Sequence, residues 1–177
     1  MSDNGTPQGA WIRQALADYE RRLVGYALRL TGDLETARDV VQDTFLKLCT
    51  ADHAAIDGHL GPWLYTVCRN RALDVLKKEG RMESLQDSVM HSLPARGLSP
   101  GAAAEANETQ HMIRTVVTTL PKRQQEVFML KFHDGLTYRE ISDVVGMPLA
   151  TVSHTIHTAL NTIREQLRAQ HASAPDA

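Results

Sequence analysis

Apolar residues recur at helical spacing in two groups, separated by a stretch in which the pattern is lost. From Trp11, the stripe Ile12, Leu16, Tyr19, Leu23, Tyr26, Ala27 and Leu30 predicts a long amphipathic helix. Gly32 suits its C-terminal cap, and Asp33 suits the N-cap of a second helix with Glu35 in its first turn. The second helix repeats Ala37, Val40, Val41, Phe45 and Leu48 on its inner face. Its outer face gathers Asp39, Gln42, Asp43 and Leu46, an acidic and amide patch beside an exposed leucine. Ala51 to Gly61 reads as a connection. Pro62 fits the first turn of a third helix, where its missing N–H costs nothing. Leu64, Val67, Cys68, Ala72 and Val75 form its apolar stripe, and Trp63, Thr66, Asn70, Asp74 and Lys77 gather opposite. That helix is expected to end near Gly80.

Between Met82 and Glu108, Gly, Pro, Ser and Ala are dense and periodicity disappears, which predicts an extended linker. Periodicity resumes at Met112, Ile113, Val116, Val117 and Leu120. Pro121 then restarts a helix carrying Val127, Phe128, Leu130 and Phe132, which Gly135 ends. Thr137 and Glu140 have the spacing of a capping box, with Leu136 and Ile141 at the positions of a hydrophobic staple. A short helix, Tyr138 to Val145, stops at Gly146, and Pro148 opens a longer one with Val152, Ile156, Ala159, Leu160 and Ile163 inside. Short helix, glycine turn, longer helix is a helix-turn-helix. With no strand candidate of useful length, the expected fold is all-α: two small helical domains joined by a flexible linker, the second containing the helix-turn-helix. The expected boundaries are a disordered leader at 1–9, a first domain at 10–81, the linker at 82–108, a second domain at 109–170 and a disordered tail at 171–177.

Composition adds constraints rather than a function. The chain has 177 residues, 42% hydrophobic and 23% charged, ordinary for a globular protein. No apolar run approaches a membrane span, and the polar start lacks the layout of a signal peptide, so a cytoplasmic protein is expected. Cys49 and Cys68 sit inside helical patterns and read as buried thiols. The net charge is −2 and the pI about 6.4, whereas a chain that grips duplex DNA unaided is usually basic. A DNA role here therefore borrows affinity from a partner.

The third helix nevertheless carries the parts that hold an unstacked single strand. Trp63 is a ring to stack on, Asn70 reads base edges, and Lys77, Lys78 and Arg81 are cations for phosphates. Taken alone, the plainer reading is that Trp63 caps a small core and the lysines are a solvated end. His154 with His157, and Cys49 with His53, have spacings compatible with a metal but lack further ligands nearby, so no metal is expected. Asp39 and Asp43 share a helical face but no nucleophile, phosphate loop or oxyanion signature accompanies them. A docking patch is the expectation, and neither an enzyme, a cofactor nor a small-molecule substrate is.

Assembled in this order, these segments resemble the bacterial sigma factors of RNA polymerase, specifically the small two-domain extracytoplasmic-function (ECF) group. The likeness runs from Trp11 to Leu167. Ala37 to Leu48 is similar to the family's polymerase-binding helix, and Trp63 to Asp74 to its promoter-melting helix. Leu120 to Phe128, continuing through Gly135 to Ser142 and Gly146, is similar to its second domain. The resemblance implies that Asp39, Gln42, Asp43 and Leu46 dock on core RNA polymerase. It implies that Trp63 and Asn70 hold bases of the melted minus-10 element, with Thr66, Arg69, Arg71, Asp74, Lys77 and Lys78 contacting the same region. It places duplex minus-35 contacts on Arg139, Thr151, Ser153, His154, His157, Thr158, Asn161 and Arg164, with Lys131 and Arg168 at the flanks. Glu83 and Asp87 of the linker would mimic nucleic acid in the polymerase channel. Relatives are held inactive by an anti-sigma factor, often membrane-anchored, so sequestration at the inner membrane is a further expectation.

One departure from the family stands out. Relatives place several Lys or Arg on the recognition helix, and Leu149 to Ile163 contains none. The mild consequence is an altered minus-35 preference; the sharper one is a domain serving mainly as a regulator's docking surface. Two alternatives to a working sigma factor follow: a sigma-like interaction protein that binds an anti-sigma factor or polymerase without initiating, and a stand-alone helix-turn-helix regulator.

Overall fold

The computed structural model describes residues 7–56, 58–80 and 112–172. Among the described residues there are eight helices and no strand, as the periodicity predicts. They are α1 (Pro7–Thr31), α2 (Leu34–Thr50), α3 (His53–Ile56), α4 (Leu60–Lys78), α5 (112–119), α6 (Lys122–Phe132), α7 (Tyr138–Val145) and α8 (Leu149–Ala172). The expected linker at 82–108, with Glu83 and Asp87, lies outside the described residues, as does Arg81.

The caps act where the residue chemistry requires. Asp33 accepts the Thr36 amide at 2.8 Å and starts α2, after Gly32 has turned the chain in the left-handed region at φ 74°. The capping box of α7 is complete: the Thr137 hydroxyl accepts the Glu140 amide at 3.3 Å, and Glu140 accepts the Thr137 amide at 2.6 Å. Gly146 closes that helix at φ 67°. Leu136 and Ile141 are both buried, so the staple forms as well.

Several boundaries and faces differ from the expectations. Helix α1 begins at Pro7, so residues 7–9 belong to it rather than to a leader. Helix α8 runs to Ala172, two residues into the expected tail. On α4, Tyr65 and Leu76 are buried and Val67 and Val75 only half-buried. Phe132 is exposed; it lies two residues beyond Leu130, and residues two apart cannot share a helical face. The buried position on α6 is Gln125, whose amide nitrogen donates to the Leu120 carbonyl at 2.6 Å and the Thr118 carbonyl at 3.0 Å, pinning the α5–α6 turn. Cys49 is exposed because it follows inward-facing Leu48, whereas Cys68 is buried and its thiol is pushed up to about 12 by burial.

In the first domain α1, α2 and α4 pack pairwise around Leu23, Tyr26, Val40, Leu48, Leu64 and Cys68. Gly61 permits the closest approach, since a Cβ there would stand 3.0 Å from Tyr19 Oη. In the second, α5, α6 and α8 bury Val116, Val117, Leu120, Ala159 and Ile163. The two domains also touch: α4 packs on α7, and Val127, Leu130, Leu136 and Ile141 join the first domain's core in one continuous cluster. Periodicity alone gave no sign of that contact.

Candidate nucleic-acid interface

Helix α2 sets its inner face with Ala37, Val40, Val41, Thr44, Phe45 and Leu48, all buried. That phase leaves Asp39, Gln42 and Leu46 exposed on the opposite side, Leu46 to 58%. An exposed leucine between carboxylate and amide groups is a surface that gains by being covered. The fourth member of the expected patch is engaged differently. Asp43 accepts from Arg71 Nε at 2.6 Å, with both side chains nearly half-exposed, so this pair joins α2 to α4. Screening by water keeps the contribution of such a pair to about 0–1 kcal/mol. Its value is in register, because it sets the acidic patch beside the face of α4 that carries Asn70 and Asp74. Between the two helices, Asp43, Lys47, Val67, Asn70, Arg71 and Asp74 line a shallow recess.

The residues expected on the outer side of α4 divide into two sets. Asn70, Arg71, Asp74, Lys77 and Lys78 are exposed on one face. Trp63 is half-buried and packs against the core, as the plainer reading of that helix has it, with part of its surface still open. Thr66 is half-buried and donates to the Pro62 carbonyl at 2.9 Å, a local bond that sequence spacing did not reveal.

Arg69 departs from the expectation most. Its Nε donates to Glu126 Oε1 of α6 at 2.8 Å, and Tyr26 Oη donates to the same oxygen at 2.8 Å. Burial opposes the charge on Arg69, but Glu126 outweighs it and raises the guanidinium above its ordinary pKa. Burial and the Glu126 carboxylate likewise raise Tyr26, which stays a hydrogen-bond donor. A second polar cluster lies between the domains at Asp134, after α6. Asp134 is fully buried and accepts from Arg29 at 2.7 Å; Arg22 donates to its backbone carbonyl; His133 Nδ1 lies 3.0 Å from its other oxygen. Tyr65 Oη sits in the same cluster, raised by burial and by Asp134, without a hydrogen bond of ordinary geometry. None of Arg22, Arg29, Glu126 or Asp134 stood out in sequence. Their partners are about a hundred positions away, and no local spacing encodes that.

The second helix of the helix-turn-helix turns Val152, Ile156, Ala159 and Ile163 inward. Thr151, Ser153, His154, His157, Asn161 and Arg164 are exposed on the outward face, with Thr158 half-buried. Arg139, on the first helix, is exposed as well. Arg164 Nη1 donates to Asn161 Oδ1 at 3.3 Å, bringing a cation beside the neutral face. Lys131 instead donates to the Leu136 carbonyl at 3.3 Å and lies over the Tyr138 ring. Among the described residues no cluster of three or more His, Cys, Asp or Glu is arranged to hold a metal, and no helix is long and apolar enough to cross a membrane.

Comparison with known proteins matches both halves. The family described as sigma-70 region 2 matches residues 15–82, and sigma-70 region 4 matches residues 110–163. The chain is 26% identical over 159 residues to the ECF RNA polymerase sigma factor SigW of Bacillus subtilis, covering 85% of each. It is 26% identical over 172 residues to the ECF RNA polymerase sigma factor SigL of Mycobacterium tuberculosis, covering 95% of each. Two solved structures share the fold. The sigma factor RpoE of Bartonella quintana, in complex with the anti-sigma factor NepR, aligns at TM-score 0.62 and 23% identity over 88% of this chain and 96% of that one. CnrH, in complex with the cytosolic domain of CnrY, aligns at TM-score 0.58 and 19% identity over 94% and 92%.

Proposed function

Because the chain belongs to the ECF group of the sigma-70 family of RNA polymerase sigma factors, we propose that it docks on core polymerase through α2 and directs promoter opening through α4. The observation that carries this reading is the adjacency of two outward surfaces across the Asp43–Arg71 pair. On one side Asp39, Gln42 and Leu46 offer charge and uncovered apolar area to a protein. On the other, Asn70, Asp74, Lys77 and Lys78 offer hydrogen bonds and cations to a strand. The recess beside Asn70 takes the edge of an unstacked base, with Trp63 at the start of the same helix. A captured base exists only in melted DNA, so binding it shifts the duplex towards the open state without hydrolysis of a nucleotide.

The α8 face, with Arg139 and Arg164 beside it, reads duplex DNA at the minus-35 element. Thr151, His154 and Asn161 supply hydrogen bonds and the two arginines supply phosphate contacts. So few cations suffice because polymerase supplies the bulk affinity, which agrees with the mildly acidic pI. Regulation follows the two fold relatives, both seen with regulatory partners: an anti-sigma factor, in a soluble or membrane-anchored form, covers the exposed surfaces until a stimulus removes it.

The test is co-purification with core polymerase followed by transcription from fragmented genomic DNA. Binding with new, discrete start sites is expected. Binding without transcripts supports instead the sigma-like interaction protein, a reading that the neutral α8 face favours. No binding, by protein free of any anti-sigma factor, overturns the proposal.

A further inference from the structure

Arg69 is a cation with two claimants, an argument that rests on the sigma reading above. On that reading it meets minus-10 DNA; in the folded chain Glu126 of the other domain holds it. The side chains of Arg69 and Glu126 are only 18% and 13% exposed, which leaves little room for a phosphate. Carboxylate and phosphate make the same geometric demand on an arginine fork, so the two compete for one site. The second latch is more deeply placed. Asp134 has a side-chain exposure of 0% and its partner Arg29 one of 10%, with Arg22 on the adjoining carbonyl. Around these contacts α4 and α7 meet through the continuous apolar core.

Size makes this arrangement incompatible with promoter binding. A folded chain of this length has a radius of gyration of about 16 Å, hence roughly 40 Å across. The minus-10 and minus-35 elements lie about 25 base pairs apart, roughly 85 Å of B-form duplex. Two domains in direct contact cannot reach both elements. The α2 patch stays exposed in the same arrangement, so polymerase can engage it before the domains separate.

We propose that this is a self-inhibited closed form, in which Glu126 stands in for a promoter phosphate on Arg69 and the Arg22/Arg29–Asp134 latch holds the domains together until polymerase docks on α2. Opening returns both ion pairs to water and exposes part of the shared core. The difference is made up by contacts available only to the separated domains, on polymerase and on DNA.

Energy transfer between a dye on exposed Cys49 and one on Glu165→Cys tests this, because Cys68 is buried and escapes labelling. The free protein is expected to give one high-transfer population, and core polymerase with a promoter fragment to convert it to low transfer. Glu126→Gln and Asp134→Ala should each raise the low-transfer fraction of the free protein about 10- to 100-fold, the range for lost hydrogen bonds to charged groups. Transcription at limiting polymerase should rise with it. Circular dichroism checks folding, and should Asp134→Ala lose helix content, Glu126→Gln at the partly exposed pair carries the test. Low transfer in the free wild-type protein overturns the proposal. So do variants that stay closed, or that open without a gain in transcription. A wild-type protein that neither binds polymerase nor yields transcripts overturns the sigma reading, and the inhibitory role with it. High transfer relieved by Glu126→Gln would then show that the latch itself exists.

Discussion

Leu46 and Leu48 lie two residues apart on α2, and truncating each to alanine separates docking from folding. Leu48 has no exposed surface and is packed between α1 and α4 in the shared core. Leu48→Ala removes buried methyl groups and leaves a cavity, which costs about 2–5 kcal/mol. For a chain of this size that lowers the melting temperature by about 5–15 °C. Leu46 is 58% exposed, so its truncation takes almost nothing from the fold. If polymerase covers it, the uncovered share of a leucine, worth about 1.5–3 kcal/mol when fully buried, supplies about 1–2 kcal/mol of docking. Leu46→Ala should therefore weaken polymerase binding roughly 5- to 20-fold and leave the melting curve within a degree of wild type. Thermal melts followed by circular dichroism give the first quantity, and competition for core polymerase against the labelled wild-type chain gives the second. Equal polymerase affinity for the wild type and Leu46→Ala would falsify the docking role of the patch. A melting loss for Leu46→Ala comparable to that of Leu48→Ala would refute the assigned phase of the helix.

Three further outcomes are expected. Thr137→Ala removes one half of the capping box and should cost about 1 kcal/mol in denaturant unfolding; no change would mean that tertiary packing alone holds α7. Cys68 titrates at about 12 in the folded chain but near 8.5 when unfolded, so its contribution is complete below about pH 8.5 and is lost as pH rises towards 12. Stability should fall by about 1.4 kcal/mol per pH unit from the thiol alone, in urea titrations between pH 9 and 11, and a flat profile refutes the burial argument. Duplex binding by α8 should depend weakly on salt, with a logarithmic slope near −2 if Arg139 and Arg164 are the phosphate contacts, reduced by about 1 in Arg164→Ala. A slope of −6 or steeper would show cationic contacts elsewhere.

Local chemistry made much of this protein legible from sequence. Helix α2 has one buried face, so its apolar phase and its outward patch follow from a single periodicity, and Asp33 and the Thr137–Glu140 box mark helix starts through bonds that close within three residues. The outward face of α8 could be named for the same reason. Helix α4 was harder because it is covered on two sides: α1 and α2 bury Leu64 and Cys68, while the second domain lies across Arg69. An amphipathic pattern describes one buried face and cannot announce a second that is filled by a charged residue with a remote partner. Trp63 looked exposed by its wheel position, but a large ring folds back onto whatever apolar surface is near it. What the sequence by itself determined was the identity and extent of the helices, the helix-turn-helix, and which side chains face away from each helix's own core. Only the tertiary structure decided that the two domains share a core, that Asp43 is tied to Arg71, and that Glu126 and Asp134 hold Arg69 and Arg29. The physical reason is range: caps and periodicity act over one or two helical turns, whereas these charge pairs join residues that only the folded chain brings together.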